Sequence, residues 1–283
     1  MRLRSLLFVP GDRPERMDKA LRSGADALIL DLEDSVSLEN KPAAREAVAT
    51  FLRAAETDVA LFVRVNPLVS AHIEADLKAL GNTRIDGIML PKAEGAASIS
   101  DLAGRLAQAG LGDIRILPIA TETPAAVFQL GSYTAVAGHL HGVTWGAEDL
   151  SAAVGAATAR EANGRYTPPY ELLRSLTLFA AAAADVAPIE TVYPDFRDLD
   201  GLVDYATRAA RDGFTGMMAI HPSQVTVINT AFTPSEASLA NAREIVAAFA
   251  AQPGAGVLQI DGRMIDAPHL KQAQRILARA AKA

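Results

Sequence analysis

Short apolar runs alternate with amphipathic segments along most of the chain. Runs such as DALILDLE at 26–33 and VALFVRVN at 59–66 are apolar at nearly every position, which is typical of strands that are buried on both faces of a parallel sheet. The pattern predicts eight strands, at residues 3–10, 26–33, 59–66, 85–92, 114–121, 140–147, 189–195 and 216–222.

The segments between these runs carry apolar residues at helical spacing, and Pro14 stands where a first helical turn is expected. The pattern predicts helices at residues 14–24, 41–56, 70–81, 95–110 and 170–186. Strands and helices that alternate eight times predict an α/β protein of the TIM-barrel type, a (β/α)₈ barrel over residues 1–230, with a doubly wound open sheet as the alternative. Residues 231–283 predict a C-terminal extension with a helix, a turn, one short strand and a terminal helix.

Polar side chains stand at the carboxyl ends of nearly all the predicted strands. Three carboxylates, Asp31, Glu33 and Asp34, close the second strand, although like charges at the end of a buried strand repel one another. Active sites of (β/α)₈ barrels are built at this end of the strands, so these residues are candidates for a site.

Glu122 and Asp149 each follow an apolar strand and are candidates for a metal site. Two carboxylates on one rim, completed by water and substrate oxygens, are the usual ligands of Mg²⁺ in enzymes. The chain has no cysteine, so thiolate ligands are excluded. The alternative for both residues is that the carboxylate lies in the first turn of the following helix, where its negative charge interacts favourably with the helix dipole.

Arg64 is the third residue from the end of the third apolar run, where a cation must pair or face a polar cavity. It is predicted to pair with the acids after the second strand, to bind a substrate carboxylate or carbonyl, or to do both. Lys92 is a candidate Schiff-base lysine or, as the preferred interpretation, a salt-bridged lysine at the mouth of the barrel. His221 is left open between a general base and a structural histidine.

Composition narrows the class of protein. Half of the 283 residues are hydrophobic, the net charge is −6 and the sequence pI is about 5.4, so there is no electrostatic footprint for nucleic acid. The first apolar run is shorter than a signal-peptide core, and the longest one, around 176–187, is too short to cross a membrane. These features predict a cytoplasmic protein without a membrane or nucleic-acid partner.

The motifs, taken in order, resemble a known family. They are LLFVPGDRPERMDKALRSGADALILDLEDSV, VRVNP, IMLPKAE, IATETPAAV, WGAEDLSA, AIHPSQ and GRMIDAPHLKQAQRIL. Together they are similar to the citrate lyase beta subunit-like branch of the HpcH/HpaI aldolase superfamily, whose members include malyl-CoA lyase and citramalyl-CoA lyases. The resemblance covers essentially the whole chain.

The resemblance implies a (β/α)₈ barrel with a C-terminal lid, a bound Mg²⁺ and a carbon–carbon lyase that acts on CoA thioesters. Glu122 and Asp149 match the family's two metal carboxylates, and Arg64 matches the arginine that contacts substrate oxygens. Glu33 and Asp34 match acids of the inner site. In relatives an aspartate that matches Asp266 belongs to a lid that closes over a neighbouring subunit, and trimers or hexamers are common.

The basic side chains near the first strand are further candidates, because CoA carries phosphates. Arg13 and Lys19 could contact those phosphates, as could Lys92, and the alternative for the first two is a solvated helix face. The apolar Phe8, Met89, Leu90 and Trp145 could shape an acyl pocket or belong to the core.

The expected reaction is cleavage or formation of a 3-hydroxyacyl-CoA such as malyl-CoA, citramalyl-CoA or citryl-CoA, giving acetyl-CoA or propionyl-CoA and a 2-oxo acid. The alternatives are a citrate lyase beta subunit that acts on a carrier-bound citryl group with partner subunits, a malyl-CoA thioesterase, and a metal-dependent aldolase on free 2-oxo acids. A barrel that has lost catalysis and serves as a binding protein is a further alternative from a different class.

Overall fold

The computed structural model describes residues 1–162 and 164–280. Eight parallel strands form one sheet in the order β5-β4-β3-β2-β1-β8-β7-β6. The strands are β1 Ser5–Pro10, β2 Ala27–Asp31, β3 Ala60–Arg64, β4 Gly87–Leu90, β5 Arg115–Pro118, β6 Gly142–Val143, β7 Ala187–Glu190 and β8 Gly216–Ala219. Parallel bridges from Ile116 to Leu140 and from Ile119 to Thr144 join β5 to the β6 segment and close the sheet. The predicted (β/α)₈ barrel is confirmed.

Helices follow the strands along the chain. They are α1 Pro14–Ala20, α2 Lys41–Ala54, α3 Ile73–Leu80, α4 Ala96–Gln108, α5 Pro124–Val127, α6 Glu148–Ala153, α7 Pro168–Ala183, α8 Leu199–Asp212 and α9 Val225–Ala231. Three 3₁₀ segments are Leu38–Asn40, Leu130–His139 and Pro222–Gln224. No helix in the described part of the chain is long and apolar enough to cross a membrane.

Apolar side chains from the strands pack inside the barrel. This cluster includes Leu6, Ile29, Phe62, Met89 and Ile189, all fully buried. Because every strand is covered on both faces, the runs had to be apolar throughout, and this explains why the sequence pattern located them. The seventh strand begins two residues earlier than the predicted range, at Ala187.

Helix α8 is absent from the sequence-based prediction. Its signals were present: the Asp198 side chain accepts a hydrogen bond from Gly201 N as an N-cap, and Leu202, Ala206 and Ala209 form a buried stripe at helical spacing. The helix ends at Asp212, and Gly213 caps it with a φ of 119°, a left-handed conformation that glycine adopts at little cost.

A second compact unit comprises Met1–Arg2 and the chain from Thr230 onward. It contains α10 Glu236–Ala251, the antiparallel strands β9 Val257–Ile260 and β10 Arg263–Asp266, and α11 Ala267–Ala280. The prediction of one strand here was wrong, since the segment forms a hairpin. Asp261 and Gly262, with φ of 47° and 76°, make the turn, and an Asp-Gly pair between apolar runs is a strong hairpin signal.

Candidate active site at the carboxyl ends of the strands

A cavity of about 320 Å³ lies at the carboxyl ends of the barrel strands. Its polar wall includes Asp34, Arg64, Glu122, Glu148 and Asp149. Its apolar wall includes Phe8, Ile119, Trp145, Val192 and Met218. A small organic anion with an apolar substituent would match both walls, because one side offers charge and the other offers hydrocarbon.

Arg64 is the centre of the polar wall. Its Nε and Nη2 donate to Asp31 Oδ1 and Oδ2 at 2.7 Å each, and its Nη1 lies 2.8 Å from Glu33 Oε2. The guanidinium also lies 4.9 Å from the centre of the Phe8 ring. Both sequence-based alternatives for Arg64 are therefore compatible, since it pairs with the acids of strand β2 and still lines the cavity.

The pKa values of Asp31 and Glu33, the two carboxylates nearest to Arg64, are shifted in opposite directions. Burial tends to raise the pKa of Asp31, but the hydrogen bonds and charge of Arg64 outweigh it, so this pKa is lowered. Burial raises the pKa of Glu33 by more than the charges of Arg64 and Lys92 lower it. Asp34 is more exposed and lies 3.9 Å from Arg64 Nη1.

Buried polar groups hold the loop that carries these acids. The Lys41 ammonium, at the start of α2, donates to Leu32 O at 2.9 Å and to Glu33 O at 3.0 Å. Asn66 Nδ2 also donates to Leu32 O, at 3.0 Å. Gly11 N donates to Asp31 O at 2.8 Å, and a Cβ at Gly11 would lie only 2.4 Å from that oxygen, so only glycine fits there.

Lys92 connects three carboxylates. Its Nζ lies 2.8 Å from Glu33 Oε1 and 2.7 Å from Asp149 Oδ2, and its backbone N donates to Glu122 Oε2 at 2.6 Å. Its φ of 52° is in the left-handed region, which costs a non-glycine residue about 1–2 kcal/mol. The preferred interpretation of Lys92 as a salt-bridged lysine at the barrel mouth agrees with these contacts.

Glu122 and Asp149 both line the cavity, as the sequence predicted for a common rim. Glu122 precedes helix α5, whose N-cap is Thr123, so it is not in the first helical turn. Asp149 is in the first turn of α6, so it also has the helix-start position that the alternative proposed. Burial raises the pKa of Glu122 to about 7, and the charges of Glu33 and Asp149 add to the effect against the N–H and charge of Lys92.

The charges on this rim fit a divalent cation. Five carboxylates surround two cations, Arg64 and Lys92, which leaves three negative charges if all are ionised; the carboxylates are Asp31, Glu33, Asp34, Glu122 and Asp149. Within residues 1–162 and 164–280 no three His, Asp or Glu residues form a complete metal cage. Two protein carboxylates with water and substrate oxygens suit Mg²⁺, which keeps several waters when bound.

Two of the basic residues predicted to meet CoA phosphates, Arg13 and Lys19, lie at opposite ends of α1. Arg13 immediately precedes the helix, is exposed and lies 3.6 Å from Asp12 Oδ1. Lys19 is exposed in the last turn, about 9 Å along the helix axis from Arg13. Arg13 is therefore nearer to the strand ends, and the CoA contacts of both residues stay predictions.

Asp266 belongs to the C-terminal unit, where it ends β10. Its Oδ1 pairs with Nδ1 of His269 across the start of α11. The role of Asp266 in a lid stays a prediction, as do the catalytic roles of Glu33 and Asp34.

The remaining candidates divide between cavity and core. Phe8 and Trp145 line the cavity, whereas Met89 and Leu90 are fully buried and Met89 packs in the barrel core. His221 is exposed and caps a 3₁₀ turn by accepting from Ser223 N, and its ring stacks on Phe196 at 4.7 Å. This geometry favours the structural interpretation of His221.

Sequence reasoning missed two residues that bond to parts of the site, Lys41 to the Leu32 and Glu33 carbonyls and Glu190 to the Trp145 indole. The sequence predicts Lys41 at the start of a helix and Glu190 within a strand, and the structure shows that both charged side chains are buried. A signal existed for Glu190, because a charge next to the apolar PI of strand β7 needs a partner. The identity of the partners depends on residues far away in the chain.

The fold and the cavity define the class of protein, a (β/α)₈-barrel enzyme with its site at the carboxyl ends of the strands. The model of the HpcH/HpaI aldolase/citrate lyase family matches residues 4–222, and the chain belongs to this family. The sequence-based assignment is confirmed.

Similar proteins cover nearly the whole chain. A citrate lyase subunit beta-like protein of Mycobacterium tuberculosis is 38% identical over 281 residues, covering 98% of this chain and 95% of that protein. The L-malyl-CoA/beta-methylmalyl-CoA lyase of Rhodobacter capsulatus is 32% identical over 299 residues, covering 98% and 94%. The crystal structure of protein CitE from Mycobacterium tuberculosis, in complex with magnesium, acetoacetate and coenzyme A, superposes with a TM-score of 0.82 at 37% identity, covering 99% of this chain and 98% of that one.

Proposed function

We propose that this chain is a Mg²⁺-dependent carbon–carbon lyase that cleaves or forms a 3-hydroxyacyl-CoA thioester such as malyl-CoA, citramalyl-CoA or citryl-CoA. The observation that carries the proposal is one cavity lined by Glu122, Asp149 and Arg64 at the carboxyl ends of the strands. The bound magnesium, oxo acid and coenzyme A of the related CitE structure support the choice of ligands.

Glu122 and Asp149 would hold the ion, with water and substrate oxygens as its other ligands. Bound Mg²⁺ would supply Lewis-acid chemistry and stabilise negative charge on the substrate's hydroxyl-derived and carboxylate oxygens. Lys92, which contacts both carboxylates, would keep them oriented towards the cavity. Burial favours the neutral form of Glu122, so ion binding would compete with a proton there.

Arg64 would bind the developing oxo acid. Its hydrogen bonds to Asp31 use two of the five guanidinium N–H bonds, and its Nη1 lies 2.8 Å from Glu33 Oε2. Because the side chain also lines the cavity, it has N–H groups left to donate to a substrate oxygen. The bidentate pair with Asp31 fixes the guanidinium plane before substrate arrives, which avoids an ordering cost during the reaction.

In the cleavage direction the hydroxyl group would release its proton to solvent, its carbon would become the carbonyl of the 2-oxo acid, and the C–C bond electrons would pass to the thioester as an enolate. Asp266 in its protonated form would give its proton to the enolate carbon and would be left as the carboxylate. In the reverse direction the Asp266 carboxylate would remove that proton, and the newly formed alkoxide would take a proton from solvent. A closed lid would exclude water during the enolate's lifetime. Following the family resemblance, we propose a trimer or hexamer for this arrangement.

The test is a product assay with malyl-CoA, β-methylmalyl-CoA, citramalyl-CoA and citryl-CoA, each with Mg²⁺ and with EDTA, in which oxo-acid formation and free CoA thiol are followed in parallel. Mg²⁺-dependent glyoxylate, pyruvate or oxaloacetate is expected, together with an acyl-CoA product. Thiol release without an acyl-CoA product would instead indicate a thioesterase. No turnover of any thioester would contradict the proposal and favour a carrier-dependent citrate lyase subunit or an aldolase on free 2-oxo acids.

A further inference from the structure

Behind the apolar wall of the cavity lies a buried carboxylate, Glu190, the last residue of β7. It is fully buried and accepts four hydrogen bonds. Its Oε1 accepts from Trp145 Nε1 at 2.6 Å, Thr191 N at 2.9 Å and Tyr205 OH at 3.0 Å, and its Oε2 accepts from Arg174 Nε at 2.6 Å. An ion pair this deep costs desolvation, so it is weak evidence for stability alone.

The network lies at the seam between β6 and β7. Strand β6 is two residues long, and its register with β7 consists of Gly142 with Ala187 and Val143 with Pro188. Two residues beyond this register, the Trp145 indole continues the connection by donating to Glu190. Side-chain hydrogen bonding thus takes over where the backbone ladder ends.

The β5 side of the same segment is held differently. Thr144 N donates to Pro118 O at 3.0 Å, and Thr121 Oγ1 bonds both N and O of Gly146 at 3.1 and 2.8 Å. The segment that leads to Asp149 is therefore hydrogen-bonded on two sides. Thr144 and Gly146 bond to Pro118 and Thr121 on the β5 side, and the Trp145 indole bonds to Glu190 at the end of β7. Asp149 follows four residues after Trp145, at the start of α6.

We propose that Glu190 is a positioning residue, which holds the Trp145 indole and thereby places the Asp149 carboxylate on the cavity. The inference rests on the proposed function for the role of Asp149 as a metal ligand, but the hold on Trp145 does not. Trp145 lies in the cavity wall and is fully buried, so it acts as a support for the segment.

Two variants form a matched pair, because each removes one donor to the same Glu190 oxygen and keeps an aromatic ring. Trp145→Phe breaks the bond to the segment that carries Asp149, whereas Tyr205→Phe breaks a bond to helix α8. The Mg²⁺ dissociation constant is measured by titration calorimetry without substrate, and the urea midpoint is measured alongside. A general structural role would affect both variants alike.

Trp145→Phe is expected to weaken Mg²⁺ binding about tenfold, as for residues that orient metal ligands. Tyr205→Phe is expected to leave Mg²⁺ binding near the wild-type value while lowering the urea midpoint. Equal Mg²⁺ affinity in the two variants would overturn the inference.

Fluorescence gives a second measurement that needs no metal, because Trp145 is the only tryptophan in the sequence. In Glu190→Gln, acrylamide is expected to quench Trp145 more strongly than in wild-type protein, and unchanged quenching in folded protein would also overturn the inference. If wild-type protein binds no Mg²⁺, the proposed function fails, whereas the quenching comparison still decides whether Glu190 holds Trp145.

Discussion

Arg64, which is largely buried, and Arg174, which is buried, each pair with a carboxylate at the end of a barrel strand, but their surroundings differ in charge balance. Around Arg64 and Lys92 stand five carboxylates, on the wall of a cavity or beside it. Around Glu190, the pairs are Arg174 with Glu190 and Asp212, and Arg211 with Asp212, so two carboxylates meet two guanidiniums.

The difference shows how one kind of interaction serves two purposes. In the Arg174 cluster, which includes the exposed Arg211, carboxylates and guanidiniums are equal in number, and the contacts of Arg174 join helices α7 and α8 to the end of β7. A cluster with surplus carboxylates attracts positive charge. Burial and the neighbouring carboxylates make protonation easier there and raise the pKa of Glu122 to about 7. A divalent cation would supply the same positive charge.

The largest effect is expected from removing one carboxylate of the cluster around Arg64 and Lys92. Asp149→Asn and Glu122→Gln each remove one proposed metal ligand, so kcat/KM should fall at least about 10⁴-fold, that is about 5.5 kcal/mol. Steady-state kinetics with saturating Mg²⁺ measure the loss. Asp212→Asn, which removes a carboxylate from the balanced cluster, is the control and should retain most activity; intact turnover in Glu122→Gln would refute the metal assignment.

The second test replaces each of the two arginines, Arg64 and Arg174, by methionine. Arg64→Met and Arg174→Met each leave a buried carboxylate without its cation, so each should lower the free energy of unfolding by about 3–5 kcal/mol. Only Arg64→Met should lose a further factor of about 10²–10³ in kcat, the cost of removing a donor to a developing negative charge. Urea denaturation and kinetics below the transition separate these effects, and an equal loss of kcat in both variants would contradict the distinction.

The pH dependence of the free energy of unfolding tests the same difference at single carboxylates. Since the pKa of Glu122 is raised from 4.5 to about 7 in the folded protein, its contribution to stability is complete below about pH 4.5 and is lost as the pH rises through 7. In EDTA, wild-type protein should therefore lose up to about 3 kcal/mol relative to Glu122→Gln between pH 4.5 and 8.

The pKa values of Asp31 and Asp212 are shifted in the opposite direction, downwards. Although burial raises both pKa values, Arg64 at Asp31, and Arg174 and Arg211 at Asp212, lower them below the usual value. Their contributions are present above the unfolded pKa and are lost in acid. Chemical denaturation across the pH range measures both trends, and a stability difference between wild type and Glu122→Gln that is independent of pH would contradict the raised pKa.

The smallest expected effect concerns the exposed basic residues of α1. Arg13→Ala should raise the KM for the acyl-CoA about three- to tenfold with kcat unchanged, because one exposed charge contact is worth about 1 kcal/mol. Lys19→Ala, six residues further along the helix, is the matched control and should change KM less. If the Lys19 variant has the larger effect, the CoA phosphates lie nearer to the far end of α1.

Much of the fold was predictable because its signals are local. A strand that is covered on both faces must be apolar at every position, so all eight runs were visible, and polar residues stood where those runs ended. Helix α8 and the β9–β10 hairpin, which the predicted elements do not include, also have local signals in the N-cap Asp198 and in the Asp261-Gly262 turn.

The sequence by itself determined the barrel, the family, and the set of charged residues at the carboxyl ends of the strands, because hydrophobic periodicity and motif order are properties of the chain. Only the tertiary structure decided which charges meet. Lys92 bridges Glu33 and Asp149, 59 and 57 positions away, and Trp145 reaches Glu190 across 45 positions. Such contacts arise when closure of the barrel brings distant strand ends together, and their electrostatic energies depend on distances and burial that exist only in the folded chain.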